Sequence, residues 1–167
     1  MVFFRIKNIK GKEYAYVVEN VWNGKGSRQK VKKYLGKLYR FNVKNNVSFL
    51  EYFKIDNAQN YIENNDKNKV IIDLAEWELF KFGISKEEFS IDFYNITIKK
   101  NNKNIVFSIN DGFMCEHTIK NLLDFKAEGD EQIDGYRLAR AFVEAGIKVP
   151  QEIFIVTFEK LCKINED

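Results

Sequence analysis

Apolar and polar positions alternate with period two through the first forty residues, and turn residues interrupt the alternation twice. Val2 to Ile9 sets Phe4, Ile6 and Asn8 against Phe3, Arg5, Lys7 and Ile9, which predicts a strand. Lys10-Gly11-Lys12 reads as a tight turn. Glu13 to Trp22 predicts a second strand with Tyr14, Tyr16, Val18, Asn20 and Trp22 on one face. Asn23-Gly24-Lys25-Gly26-Ser27 is a hairpin loop, and Arg28 to Leu35 a third strand. Strict alternation there places Arg28, Lys30, Lys32 and Tyr34 together, with Gly36 as the stop and Lys37 to Arg40 leading away.

The pattern then changes to helical spacing. Val47 to Phe53 and Asp56 to Ile62 predict short amphipathic helices, and the polar run Asn64 to Lys69 predicts a flexible loop. Lys69 to Phe82 carries Ile71, Leu74, Ala75, Leu79 and Phe82 on one broad face, widened by Trp77 and Phe80, with Gly83 as the stop. Ser85-Lys86-Glu87-Glu88 fits a capping box. Phe89 to Lys99 alternates as a strand with a phase slip at Tyr94-Asn95 that a bulge would produce. Ile105 to Asn110 returns to complete a hairpin. Three helices close the chain: His117 to Phe125, Asp130 to Ala145, and one from Pro150 to Cys162. The expected fold class is α+β: an N-terminal three-stranded antiparallel sheet followed by a mostly helical body containing a β-hairpin. The expected domains are a basic β module, residues 1–42, and an acidic α+β body, residues 43–167, with one hairpin near 89–110.

Charge sharpens that division. The net charge of +3 over 167 residues conceals two halves of opposite sign. Residues 1–40 hold 11 Lys and Arg against Glu13 and Glu19, a balance of +9, whereas residues 41–167 hold 16 Lys and Arg against 22 Asp and Glu, a balance of −6. A basic segment on an acidic body is an electrostatic footprint for a polyanion. Phosphates recruit Lys and Arg through counterion release, and unpaired bases recruit flat aromatic side chains. The candidate nucleic-acid-binding residues are therefore Arg5, Lys7, Trp22, Lys25, Arg28, Lys30, Lys32, Tyr34 and Lys37. A two-stranded ribbon of this kind also fits the major groove of DNA. Whether Arg5 and Lys7 share a face with Arg28, Lys30 and Lys32 depends on strand register, which local sequence leaves open.

The run Lys7 to Leu38, KNIKGKEYAYVVENVWNGKGSRQKVKKYLGKL, resembles the N-terminal segment of some insertion-sequence transposases. That pattern has a Lys-Gly-Lys turn, a Tyr-rich strand, a Gly-containing loop, then RQK and YLGKL. The matching positions are Tyr14, Tyr16, Val18, Glu19, Arg28, Gln29, Lys30, Tyr34, Leu35 and Gly36. The resemblance covers about a fifth of the chain and implies a DNA-recognition module. It does not extend to a catalytic domain, which would need three carboxylates holding two metal ions on a ribonuclease-H-like fold. The later stretch from Ile109 to Phe154 resembles an uncharacterised archaeal protein family, which implies no activity. Abundant lysine, asparagine, isoleucine and phenylalanine is the usage of an AT-rich genome.

Other chemistry finds little support. Phosphate-loop patterns GxxxxGK[ST] and GxGxxG are absent. Cys115-Glu116-His117 has no second ligand pair for zinc. A calcium loop begun at Asp124 has Lys126 at its third position and Gly135 at its twelfth, so both ligands fail. No catalytic residue, metal or cofactor is expected, and the chain is read as a non-enzyme. No apolar run approaches the ~20 residues of a membrane span, and no signal peptide pattern opens the chain, so a cytoplasmic protein is expected. The expected partner is nucleic acid, DNA or RNA. The alternative is an adaptor or accessory subunit of a larger protein or ribonucleoprotein complex, contacting a protein through exposed aromatics of the helical body such as Trp77 or Phe80.

Overall fold

The computed structural model of the chain describes residues 2–163. In order along the chain it forms β1 (Val2–Ile9), β2 (Lys12–Trp22), β3 (Ser27–Arg40), α1 (Phe49–Phe53), α2 (Ala58–Glu63) and α3 (Lys67–Phe82). There follow β4 (Ser90–Asp92), β5 (Thr97–Lys100), β6 (Lys103–Ile109), β7 (Gly112–Met114), α4 (Glu116–Leu123), α5 (Glu131–Glu144) and α6 (Gln151–Lys163). Among the described residues no helix is long and apolar enough to cross a membrane.

The separate three-stranded N-terminal sheet with a mostly helical body is overturned. A single mixed sheet of seven strands runs in the order β1-β2-β3-β6-β5-β4, with β7 on β6. Its cause is the length of β3. This strand spans 14 residues and does not stop at Gly36. It pairs antiparallel with β2, then Lys37–Arg40 pairs in parallel with Ile105–Ser108 of β6. A free strand edge is a row of unpaired amides and carbonyls, and β6 satisfies the end of this one across a long crossover.

Gly36 makes that junction possible. Its φ is +136°, and a Cβ there would lie 2.2 Å from the Asn104 carbonyl oxygen and 2.9 Å from Ile105 Cα. Glycine inside a strand here marks a close backbone approach rather than a strand end.

The two sides of the sheet pack differently. Ile105, Phe107 and Ile109 of β6 face the main core with α3, while Val106 joins Ala15, Val17, Leu35, Leu38 and Cys115 on the other side. Helix α3 is apolar on nearly all sides, with Val70, Ile71, Ile72, Leu74, Ala75, Trp77, Leu79 and Phe82 buried, as befits a central helix. It starts inside the stretch expected to be a flexible loop, because the Asp66 carboxylate accepts the Lys69 amide at 2.8 Å and caps it. Gly83, at φ +61°, ends it as expected.

Trp77 and Phe80 are not the exposed aromatics expected of a partner surface. Trp77 is buried, its indole N–H donates to the Val47 carbonyl at 2.9 Å, and the Lys81 ammonium lies 3.8 Å from the ring centroid. Phe80 is half-buried against Tyr52 at 4.6 Å. Glu78 is fully buried beneath the same helix. It accepts the Lys148 amide at 2.8 Å and the Asn110 side chain at 3.2 Å, and pairs with Lys81 at 3.0 Å. That carboxylate is therefore a structural tie between loops.

The phase slip in Phe89 to Lys99 is a turn, not a bulge. Asp92 accepts amides from Tyr94 and Asn95, and Ile91 pairs with Ile98 across a β4–β5 hairpin. With β6 these strands make a meander in which only the second hairpin was expected.

Gly36→Ala is expected to lower stability by about 2–4 kcal/mol, from backbone strain together with the Asn104 clash. Urea denaturation of the two proteins measures this, and a difference below about 0.5 kcal/mol would show that β3 and β6 need no such contact.

Candidate nucleic-acid interface

Directly opposed residues of an antiparallel ladder share a face, so register assigns every candidate side chain. Arg5 pairs with Tyr16 and Lys7 with Tyr14 across β1–β2. Tyr14 pairs with Lys37 and Tyr16 with Tyr34 across β2–β3. Arg5, Lys7, Tyr14, Tyr16, Tyr34 and Lys37 therefore occupy one side, here called the tyrosine face. Trp22 continues the same row towards the loop, opposite Ser27, and is 72% exposed.

Arg28 and Lys30 lie on the other side, opposite Val21 and Glu19. Two irregularities separate Tyr34 from them. Leu35 is unopposed between the Ala15 and Tyr16 pairs, and Lys32 is unopposed between the Val17 and Val18 pairs. Each inserts one residue and reverses the phase of the strand: the one at Leu35 brings Tyr34 to the side of Lys37, and the one at Lys32 parts Tyr34 from Arg28 and Lys30, which strict alternation groups with it. The two basic rows do not share a face. The sheet presents positive charge on both.

On the tyrosine face the rings touch without forming a closed stack. Tyr16 and Tyr34 centroids are 5.3 Å apart and tilted by 51°, and Tyr14 and Tyr34 are 6.3 Å apart at 40°. The Lys7 ammonium lies 4.9 Å from the Tyr16 centroid, and Lys37 and Lys100 lie 4.8 and 5.4 Å from that of Tyr39. Tyr34 is 51% exposed, while Tyr14 and Tyr16 are half-buried. Partial desolvation, with Tyr16 and Tyr14 beside it, raises the pKa of the Tyr34 hydroxyl above its ordinary value. Arg5 donates to Gln29 over this face.

The opposite side is packed at its base and open at its end. Phe4, Ile6, Ala15, Val17, Leu35 and Leu38 close against Phe113 and Cys115. Phe4 lies 5.6 Å from the Phe113 ring and 6.4 Å from that of His117. Beyond this cover, Arg28, Lys30, Lys32 and Lys33 are all exposed.

Both acids of the segment are already committed. Glu13 holds Arg40 through two hydrogen bonds of 2.7 and 2.9 Å, and Glu19 pairs with Lys32 at 3.2 Å. Among the described residues the other nine cations of the segment, Arg5, Lys7, Lys10, Lys12, Lys25, Arg28, Lys30, Lys33 and Lys37, enter no ion pair. Lys25 stands exposed in the loop at the end of the hairpin.

The chain matches no family model, no curated protein and no solved structure.

A cleft of about 180 Å³ lies where this sheet meets the body, lined by Val2, Phe3, Phe4, Val17, His117, Asn121, Arg140 and Glu144. Arg140 and Glu144 form an ion pair at 2.8 Å along its wall. Among the described residues no group of three or more His, Cys, Asp and Glu gathers to hold a metal. Cys115, buried, donates its amide to the Thr118 hydroxyl at 3.1 Å and so opens α4. Asp134 explains the acidic stretch near α5. Burial pushes its pKa up, but the amides of Glu128 and Gly129 and the Arg137 guanidinium outweigh this, and the net shift is down.

Burial pushes the His117 imidazole below its ordinary value of 6.5, Lys33 adds to that effect, and Glu144 opposes it. The unfolded chain therefore binds this proton at a higher pH than the folded one does. His117 costs the fold nothing above pH 6.5, and stability falls as the pH drops from there towards its lowered folded value. His117→Phe should flatten the change in urea midpoint between about pH 7.5 and 5.5. Identical changes in variant and wild type would place the sensitivity elsewhere.

Proposed function

We propose that the chain binds nucleic acid, DNA or RNA, through the sheet of residues 2–40, as a binding protein and not as an enzyme. One observation carries this reading. The segment's only acids are held by Arg40 and Lys32, which among the described residues leaves nine cations without a carboxylate partner on both faces and the loop of one sheet. Such a density of like charge is self-repulsive, and a phosphate backbone relieves it while releasing condensed counterions. The resemblance of Lys7 to Leu38 to a transposase DNA-recognition segment supports the same role, with the body as carrier.

A second reading, a protein partner on the body, draws on a different surface. Ile133, Tyr136 and Val143 are exposed along one side of α5, and Tyr136 is 68% exposed. Ile133→Asp with Tyr136→Asp would abolish capture of a single stoichiometric protein if that reading holds. Unchanged capture would dismiss it.

With about five phosphate contacts to duplex DNA, log affinity should fall with log salt at a slope of about −4 to −5. Arg28→Ala with Lys30→Ala should reduce that slope by about 2 and leave the unfolding of the body unchanged. An affinity that does not respond to salt would refute the proposal.

A further inference from the structure

Resting on the nucleic-acid reading above, we infer that the tyrosine face takes an unpaired strand, with bases stacked on Tyr34 and its neighbours and phosphates held by Arg5, Lys7 and Lys37. Width is the first argument. The major groove of B-DNA is about 12 Å across and admits an α-helix or a two-stranded ribbon. The tyrosines lie where the sheet is three strands wide, since Tyr16 is flanked by Arg5 of β1 and Tyr34 of β3. Three strands about 4.8 Å apart, with side chains on each, exceed the groove. Among the described residues the two-stranded part begins beyond the Val2–Glu19 pair and leaves Asn20–Trp22 opposite Ser27–Gln29.

Chemistry is the second argument. A duplex hides the faces of its bases and displays edges and phosphates, for which tyrosine rings on a flat sheet are poor readers. An unpaired strand displays the faces themselves, and stacking on an aromatic ring is indifferent to sequence. Tyr34 keeps half of its surface open, with the rings of Tyr14 and Tyr16 tilted beside it. Lys7 lies above Tyr16, and Lys37 lies opposite Tyr14, so cations flank the rings on both outer strands. Rings and cations thus share one face, as bases and phosphates share one strand. Arg28, Lys30 and Lys33, on the other side, have no tyrosine beside them in the ladder and serve the polyanion only as charge.

The test is fluorescence anisotropy with the full chain at one fixed salt concentration, using labelled oligothymidylate and oligouridylate of about 12 nucleotides and a duplex of the same length. Either single strand should bind at least about tenfold more tightly than the duplex, and the tighter of the two identifies DNA or RNA as the source. Tyr34→Val should weaken single-strand binding about five- to hundredfold and leave duplex binding unchanged, while Tyr34→Phe, which keeps the ring, should bind like wild type. Equal or tighter duplex binding, or a Tyr34→Phe loss as large as that of Tyr34→Val, overturns the stacking assignment and leaves the nucleic-acid reading standing. No binding to any of the three overturns both. Should Tyr34→Val fail to fold, photocrosslinking of wild type to a 5-bromouracil-substituted single strand decides the matter. Adducts at Tyr14, Tyr16 or Tyr34 support the inference, and adducts confined to other residues overturn it.

Discussion

Everything distinctive in this molecule depends on the parallel pairing of Lys37–Arg40 with Ile105–Ser108, and that pairing depends on Gly36. A side chain at position 36 would occupy the Asn104 carbonyl, and β3 would end where its sequence invites it to end. Because it continues, one strand belongs at once to a basic ribbon and to the core sheet. Leu38 contributes to the core between ribbon and body, while Tyr39 packs edge-on against Phe89 at 5.5 Å on the opposite side. The ribbon is thereby held rigidly by the backbone hydrogen bonds of its last strand rather than by a linker.

That attachment explains how a strongly charged element survives in a stable fold. Its base is tied down by apolar contacts on one side, and its acids are spent on Arg40 and Lys32, near the body and midway along the ribbon. The remaining cations are distributed over both faces and the loop, which spreads their mutual repulsion. The two bulges in β3 then sort the surface. They bring Tyr34 to Tyr16 on one face and leave Arg28 and Lys30 on the other. A single insertion in the strand would have mixed the rows, and two insertions separate ring-bearing and ring-free faces.

Much of this was legible along the chain because it is local. Alternation located β1, β2 and most of β3, and helical spacing with a following glycine located the ends of α3 and α5. What could not be read was pairing at a distance and the phase of a strand once residues are inserted. Leu35 and Lys32 carry no mark of being unopposed, so period-two counting grouped Tyr34 with the wrong neighbours. Gly36 had the look of a terminator, since close backbone approach and strand termination both call for glycine. The polar run before α3 resembled a loop because the first turn of a capped helix can be wholly polar. Asp92 and Asn95 signalled a turn that regular alternation on either side obscured. The candidate cations themselves were all visible, but which of them stand together was not.

The central claim is that the sheet of residues 2–40 is the nucleic-acid-binding surface of the chain. Amide chemical-shift mapping of the isotope-labelled full chain during titration with an oligonucleotide tests it most directly. The account predicts that the largest shifts fall between Phe3 and Lys37, on β1, β2 and β3, with the amides of α5 unmoved. Shifts centred on Ile133–Val143, or none at all at saturating oligonucleotide, would contradict it.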